Sequence, residues 1–224
     1  LLEANTRMTY NVVERAAAVG VDGVAFTSSS TVYGEAPRPT PETHTPLAPI
    51  SVYGAAKVAD EAIVTALTSA TATSVWIFRF ANVVGPHQRG NVIPDFIEKL
   101  RADPTRLEIL GDGRQTKSYL HVDDCTAAML HQIETIEQPL WVCNLGTADA
   151  TAVSSIADIV SEQMGLDPTF EYTGGARGWQ GDVPQMQLAI DRMLESGFSP
   201  RDDSTTAVKR ATAQLLEEFE RPSA

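Results

Sequence analysis

The sequence predicts an α/β protein built on a parallel sheet with covering helices. Three observations carry this. Over the first 85 residues, stretches of helical spacing alternate with short apolar runs, in the order helix, strand, helix, strand. The runs are nearly continuous in apolar residues, as strands covered on both faces are. The chain has 224 residues, 43% of them hydrophobic, which is ample for a core and excludes disorder as the main state.

Residues 2–19 set Met8, Val12, Val13, Ala16 and Ala17 on one helical face, and Gly20 ends the helix. Val24 to Thr27 reads as a strand, with Ser28, Ser29 and Ser30 at its C-terminal end. Pro37 to Pro49 is too rich in proline for regular structure. A second helix runs from Val52 to Ser69, with Ala55, Ala59, Ile63 and Ala66 on one side, and Ser74 to Phe80 is a second buried strand. After Gly85-Pro86 the rhythm changes. A helix over 92–102 leads to the apolar run Leu107 to Leu110, the turn Gly111-Asp112-Gly113 and a strand from Tyr119 to Val122. The helix from Asp123 to Glu134 opens with two carboxylates, which suit its N-terminal dipole. Trp141 to Leu145 is a further strand, 153–164 a helix closed by Gly165, 174–181 a glycine-rich loop, and 205–220 a last amphipathic helix.

Charge narrows the function. Twenty-nine acidic residues against 17 basic ones give a net charge of -12, which repels phosphate backbones and argues against nucleic acid as a partner. Only four of the basic residues are lysines, consistent with a salt-adapted cytoplasm or with ordinary acidic solubility. No uninterrupted apolar run of about 18 residues is present, so no membrane span is predicted. No secretory signal is read, and a cytoplasmic location is expected. Cys125 and Cys143 form neither a disulfide framework nor a metal signature and read as small core hydrophobes.

Tyr53-Gly54-Ala55-Ala56-Lys57 is the sharpest chemical feature. Tyrosine and lysine one turn apart share a helical face. An ammonium beside a phenol favours the phenolate, and a phenol of pKa about 10 needs such help to act as a base near neutrality. The serine cluster lies upstream, at a strand C-terminus, where open parallel sheets bind ligands. By itself the Tyr-x-x-x-Lys spacing also describes a surface pair.

With these residues in place, the sequence resembles the extended short-chain dehydrogenase/reductases, specifically the nucleotide-sugar epimerases and dehydratases. The resemblance rests on residues 27–34, 53–57, 79–86, 91–94, 111–124 and 181–184, in the family's order. It implies a partial Rossmann-type doubly wound parallel sheet with a smaller mixed α/β substrate domain. Residues 1–85, with 115–135 returning to them, would form the cofactor domain; 86–114 and 136–224 would bind the nucleotide sugar.

Carried over residue by residue, the resemblance makes Tyr53 the catalytic base, Lys57 its activator and the holder of the nicotinamide ribose, and Ser29 the hydroxyl on the reacting oxygen. NAD is the implied cofactor, with Asn5, Ser28, Phe80, Ala81 and Val83 beside it as well as Tyr53 and Lys57. The implied substrate residues are Ser29, Ser30, Asn82, Asn91, Val92, Leu110, Lys117, Tyr119, Arg177 and Asp182. Lys117 stands where an arginine is usual, a point charge in place of a fork. Ser28 and Ser30 equally suit capping or packing, Asn5 equally suits a helix surface, and Trp179 suits either a solvent-exposed loop or a lid.

Family dehydratases carry an Asp-Glu pair directly after the serine-type hydroxyl. Here Ser30 and Thr31 hold those positions and supply no acid–base pair, which disfavours dehydration. Epimerisation at C4 of a UDP-hexose is the first expectation. The alternatives are an NAD(P)-dependent reductase or dehydratase and an inactive nucleotide-sugar-binding remnant. The glycine-rich turn of a first strand–helix unit is not in this sequence, nor is the acidic residue that would hold the adenosine ribose. The favoured reading is of a fragment of a longer enzyme, ahead of a short protein whose missing half comes from a partner chain, with weak or no NAD binding and low solubility if expressed alone. The resemblance implies a homodimer through a four-helix bundle, with residues 2–19 and 52–69 matching those helices by position.

Overall fold

The computed structural model describes residues 1–179 and 181–220; Gln180, within the predicted glycine-rich loop, lies outside the described residues. The chain divides into two compact units, residues 1–81, 126–146 and 188–199 in one and 82–125, 147–187 and 200–224 in the other. These bounds differ from the sequence reading, chiefly because the strand at 140–145 joins the first sheet.

The first unit is a three-stranded parallel sheet in the order β1 (Gly23–Ser29), β2 (Ser74–Phe80), β7 (Leu140–Leu145). Gly23 pairs with Ser74 at one end and Ser29 with Phe80 at the other, while Val75 to Phe80 pair with Leu140 to Leu145. β2 is central and buried along its length, which explains its unbroken apolar run. Helices α1 (Leu2–Val19) and α2 (Val52–Thr68) pack on each other, and Val13, Val64, Val75 and Ile77 form the core beneath them. A short α6 (Asp191–Glu195) belongs to this unit, and α4 (Val122–Thr135) contributes its residues from Thr126 on.

The predicted helix ends hold to within a residue, but two predicted faces are rotated. On α1 the buried residues are Thr9 and Val13, whereas Met8 and Val12 are 63% and 62% exposed. On α2 the buried line is Ala56, Asp60 and Val64, one residue along from the expected stripe. Polar Thr9 and Asp60 sit in the true core faces and disguise them.

In the second unit, β3 (Asn82–Val84) pairs in parallel with β6 (Tyr119–His121), and β4 (Arg106–Ile109) with β9 (Thr169–Tyr172). A small sheet runs β10 (Gln185–Met186), β5 (Thr116–Lys117), β8 (Thr151–Ala152). Helices α3 (Val92–Ala102), α5 (Val153–Gln163) and α7 (Ser204–Glu220) enclose the core of Ile93, Ile97, Leu107, Ile156 and Val208. Leu110, the last residue of the run read from the sequence, lies just beyond β4 and is 45% exposed.

Candidate active site

Ser29 ends β1 and caps the 3-10 turn Ser30–Val32, its Oγ accepting from the Thr31 amide at 3.3 Å and from the Thr31 hydroxyl at 3.0 Å. Tyr53 stands in the first turn of α2, which Ser51 caps by accepting from the Gly54 amide at 3.0 Å. Gly54 is required here by proximity. A Cβ at this position would come within 2.7 Å of the Thr31 carbonyl oxygen, so glycine lets the helix start against the serine turn. The Ser29 hydroxyl lies near enough to the Tyr53 phenol to lower its pKa, and Tyr53 is 40% exposed.

The phenol does not start as an easy base. Burial raises its pKa above the ordinary tyrosine value, the Ser29 hydroxyl pulls it down, and the Asp60 carboxylate raises it again, for a net rise. Lys57 lies one turn on, but its Nζ donates to the Thr27 carbonyl at 2.7 Å and sits 4.8 Å from the Phe26 ring centre and 5.9 Å from that of Tyr53. Burial lowers the lysine's pKa, against the pull of Asp60 and Glu61. The expected depression of the phenol by the lysine is thus not expressed in this arrangement, because the ammonium is turned to the backbone of β1.

Beneath the hydroxyls is a polar network that the sequence reading did not identify. Arg79 on β2 forks onto Glu61 of α2, with Nε to Oε1 at 2.9 Å and Nη2 to Oε2 at 2.6 Å. Both side chains are more than nine-tenths buried, and the pairing holds the guanidinium pKa above its ordinary value. Arg79 also donates to the Tyr33 hydroxyl at 2.9 Å, which donates to Asn144 Oδ1 at 2.8 Å. The Ser28 hydroxyl donates to Glu61 at 2.5 Å, so this predicted cofactor residue is committed to the network. Spacing that recurs within one helix would have exposed such partners; partners on separate elements leave no period.

In the second unit a cleft of about 390 Å³ is lined by Asn82, Asn91, Val92, Leu110, Lys117, Tyr119 and Asp182. Those are seven of the ten predicted substrate residues. Several carry prior commitments. Asn91 caps α3, accepting from the Val92 amide at 2.8 Å. Lys117 is salt-bridged to the buried Asp182 at 2.6 Å, so its charge is already countered. Tyr119 is buried, and burial pushes its pKa up to about 12. Arg177 donates to the Asp182 carbonyl and so belongs to the same corner. Phe96 and Gln115 also line the cleft and were not predicted to; Trp179, left open between an exposed loop and a lid, lines it as well.

The other predicted residues have these places. Ser30 is buried in its turn, with its carbonyl accepting from the Tyr33 amide at 3.1 Å. Asn5 is half-buried in α1, Phe80 ends β2, and Ala81 donates its amide to Leu145 at 2.8 Å. Val83 lies in β3, where its carbonyl accepts from Gln88 at 3.1 Å.

A helix-covered parallel sheet, with a Tyr-x-x-x-Lys helix whose tyrosine meets a strand-end serine, defines a Rossmann-like α/β protein of the short-chain dehydrogenase/reductase kind. The chain belongs to the NAD dependent epimerase/dehydratase family, whose model matches residues 1–146. A putative UDP-glucose 4-epimerase of Methanocaldococcus jannaschii is 28% identical over 214 residues, covering 93% of this chain and 68% of the relative. A crystal structure of UDP-galactose 4-epimerase is 42% identical with a TM-score of 0.87, over 96% of this chain and 70% of that one. MoeE5 in complex with UDP-glucose and NAD is 28% identical with a TM-score of 0.86, over 96% and 72%.

Proposed function

We propose that the protein epimerises a nucleotide sugar with NAD, at C4 of a UDP-hexose. The observation that carries this is the start of α2 against the serine-capped end of β1, where a Cβ on Gly54 would come within 2.7 Å of the Thr31 carbonyl oxygen and Lys57, one turn on from Tyr53, donates to the Thr27 carbonyl. NAD supplies a reversible hydride acceptor when bound. The nicotinamide ribose end suits these residues, since an ammonium has three protons and only one is spent on Thr27.

In this reading Tyr53 takes the proton of the sugar hydroxyl and Ser29 donates to the same oxygen. Thr31 donates to Ser29 and leaves its hydroxyl hydrogen free for that role. Asn82 and Lys117 in the cleft of the second unit serve the nucleotide diphosphate, with Asp182 releasing the ammonium. Ser30 and Thr31, the two residues directly after Ser29, carry no carboxylate, which favours epimerisation over dehydration. The first unit serves the cofactor and the second the nucleotide sugar. The protein acts in the cytoplasm as a homodimer in which α1 and α2 meet their counterparts, supported by exposed Met8 and Val12 on α1.

The test is interconversion of UDP-glucose and UDP-galactose by the protein with NAD present. Turnover of either sugar is expected. Failure with these and with other UDP-hexoses would sink the reading.

A further inference from the structure

We infer that His87 and Glu218 are positioning residues for the cleft of the second unit: Glu218 holds the backbone of His87 in the left-handed region, and that conformation sets the loop whose far end walls the cleft. This rests on the nucleotide-sugar reading and adds to it two residues that shape the site from outside.

Residues 85–91 join β3 to α3. Gly90 and Asn91, at the end of this loop, line the cleft. On its other side His87, Gln88 and Arg89 line a second hollow with Leu215, Glu218 and Phe219 of α7. One short loop is thus a wall of both. His87 has a φ of 61°, and every other described residue with a positive φ is a glycine. A Cβ is crowded by the backbone in that region, so a side chain stays there only where its surroundings hold it.

Glu218 supplies the hold. The His87 amide donates to both carboxylate oxygens, at 3.1 and 3.0 Å, and His87 Nδ1 lies 3.1 Å from Oε1. The His87 side chain is 88% exposed and that of Glu218 25%, so burial does not fix the histidine and the carboxylate is the better-held partner. The end of α7 is itself tied down. Arg101 of α3 donates to the Phe219 carbonyl at 2.9 Å and stands 5.2 Å from the Phe219 ring centre, while Leu215 is buried in the core. Gln88 Nε2 donates to the Val83 carbonyl at 3.1 Å and closes the first half of the loop onto β3. The turn at His87 therefore sets the direction in which residues 89–91 leave for the cleft, where Asn91 Oδ1 accepts from the Val92 amide at 2.8 Å.

The experiment sets two substitutions of the exposed His87 side by side and adds Glu218→Ala. Both His87→Gly and His87→Val lose the imidazole, but glycine takes a positive φ without steric cost and valine does not. His87→Gly should keep the KM for UDP-glucose within about twofold of the wild type. His87→Val and Glu218→Ala should each raise it about 3- to 10-fold, the worth of one lost hydrogen bond, with kcat within about twofold. Hydrogen exchange reads the loop without any ligand. The amides of residues 87–92 should exchange at least about tenfold faster in His87→Val and Glu218→Ala, and within about threefold of the wild type in His87→Gly. Equal effects of glycine and valine overturn the inference, as does unchanged exchange in Glu218→Ala. Faster exchange with an unchanged KM overturns it too, since the loop then does not reach the cleft. If circular dichroism shows Glu218→Ala unfolded, the two His87 variants decide. If the wild type turns over no UDP-sugar, the nucleotide-sugar reading falls by itself, and exchange at the Val92 amide decides whether His87 and Glu218 set the cleft wall.

Discussion

Lys57 is bound through its ammonium to the Thr27 carbonyl, two residues before Ser29 on the same strand. The lysine therefore ties α2 to the end of β1 where the serine sits, as well as standing near the tyrosine. Lys57→Met should remove both effects. We expect kcat to fall by about 10²- to 10⁴-fold, the usual worth of a positioned acid–base group, and the KM for NAD to rise. Tyr53→Phe should cost a similar factor in kcat while leaving UDP affinity unchanged. Steady-state kinetics beside calorimetry separate the two.

Asp60 adds to the rise in the pKa of Tyr53, behind the larger effect of burial. Its side chain is 2% exposed and Oδ1 has no hydrogen-bond partner among the described residues. Its charge raises the pKa of Tyr53 and of Lys57. Asp60→Asn should lower both, so the acidic limb of kcat/KM, set by ionisation of the phenol, should move to lower pH. An acidic limb that stays in place, measured over pH 6 to about 10, contradicts the assignment.

Asp60 also shows where sequence patterning stops. Helix ends on α1, α2 and α3 are legible because caps and glycine mark them: Ser51, Asn91 and Gly20 stand at the termini themselves. The buried faces are less legible, since a carboxylate at position 60 looks like a solvent residue. Tyr53, Lys57 and Ser29 are found through residue type and spacing, whereas Glu61 and Arg79 meet from different elements, 18 residues apart. The direction in which Lys57 points was equally invisible, because the Thr27 carbonyl that captures it belongs to backbone geometry.

The Glu61–Arg79 pair should dominate stability in the first unit. Removing one partner leaves a buried charge uncompensated, at a cost of about 3–5 kcal/mol. Glu61→Gln and Arg79→Met should each lower the urea midpoint by a corresponding amount. The double variant should be less destabilised than the sum of the two, because neither charge is then stranded. Additive losses would mean that the pair contributes through packing alone.

Alkali should unfold the protein through three buried groups. Burial pushes Cys125, Cys143 and Tyr119 up to about 12, from 9.0 for the thiols and 10.0 for the phenol. A pKa raised in the folded state favours the protonated form there. The associated stability is complete below the unfolded values, at pH below 9, and is lost as pH rises towards 12. The melting temperature should be flat with respect to these groups up to about pH 8.5 and then fall through pH 9 to 11. Cys125→Ala removes one titrating thiol, so its loss of melting temperature between pH 8.5 and pH 11 should be smaller than that of the wild type, even though the cavity left behind lowers its stability at every pH. An equal alkaline loss in the two proteins would show that ionisation of this thiol does not drive the transition.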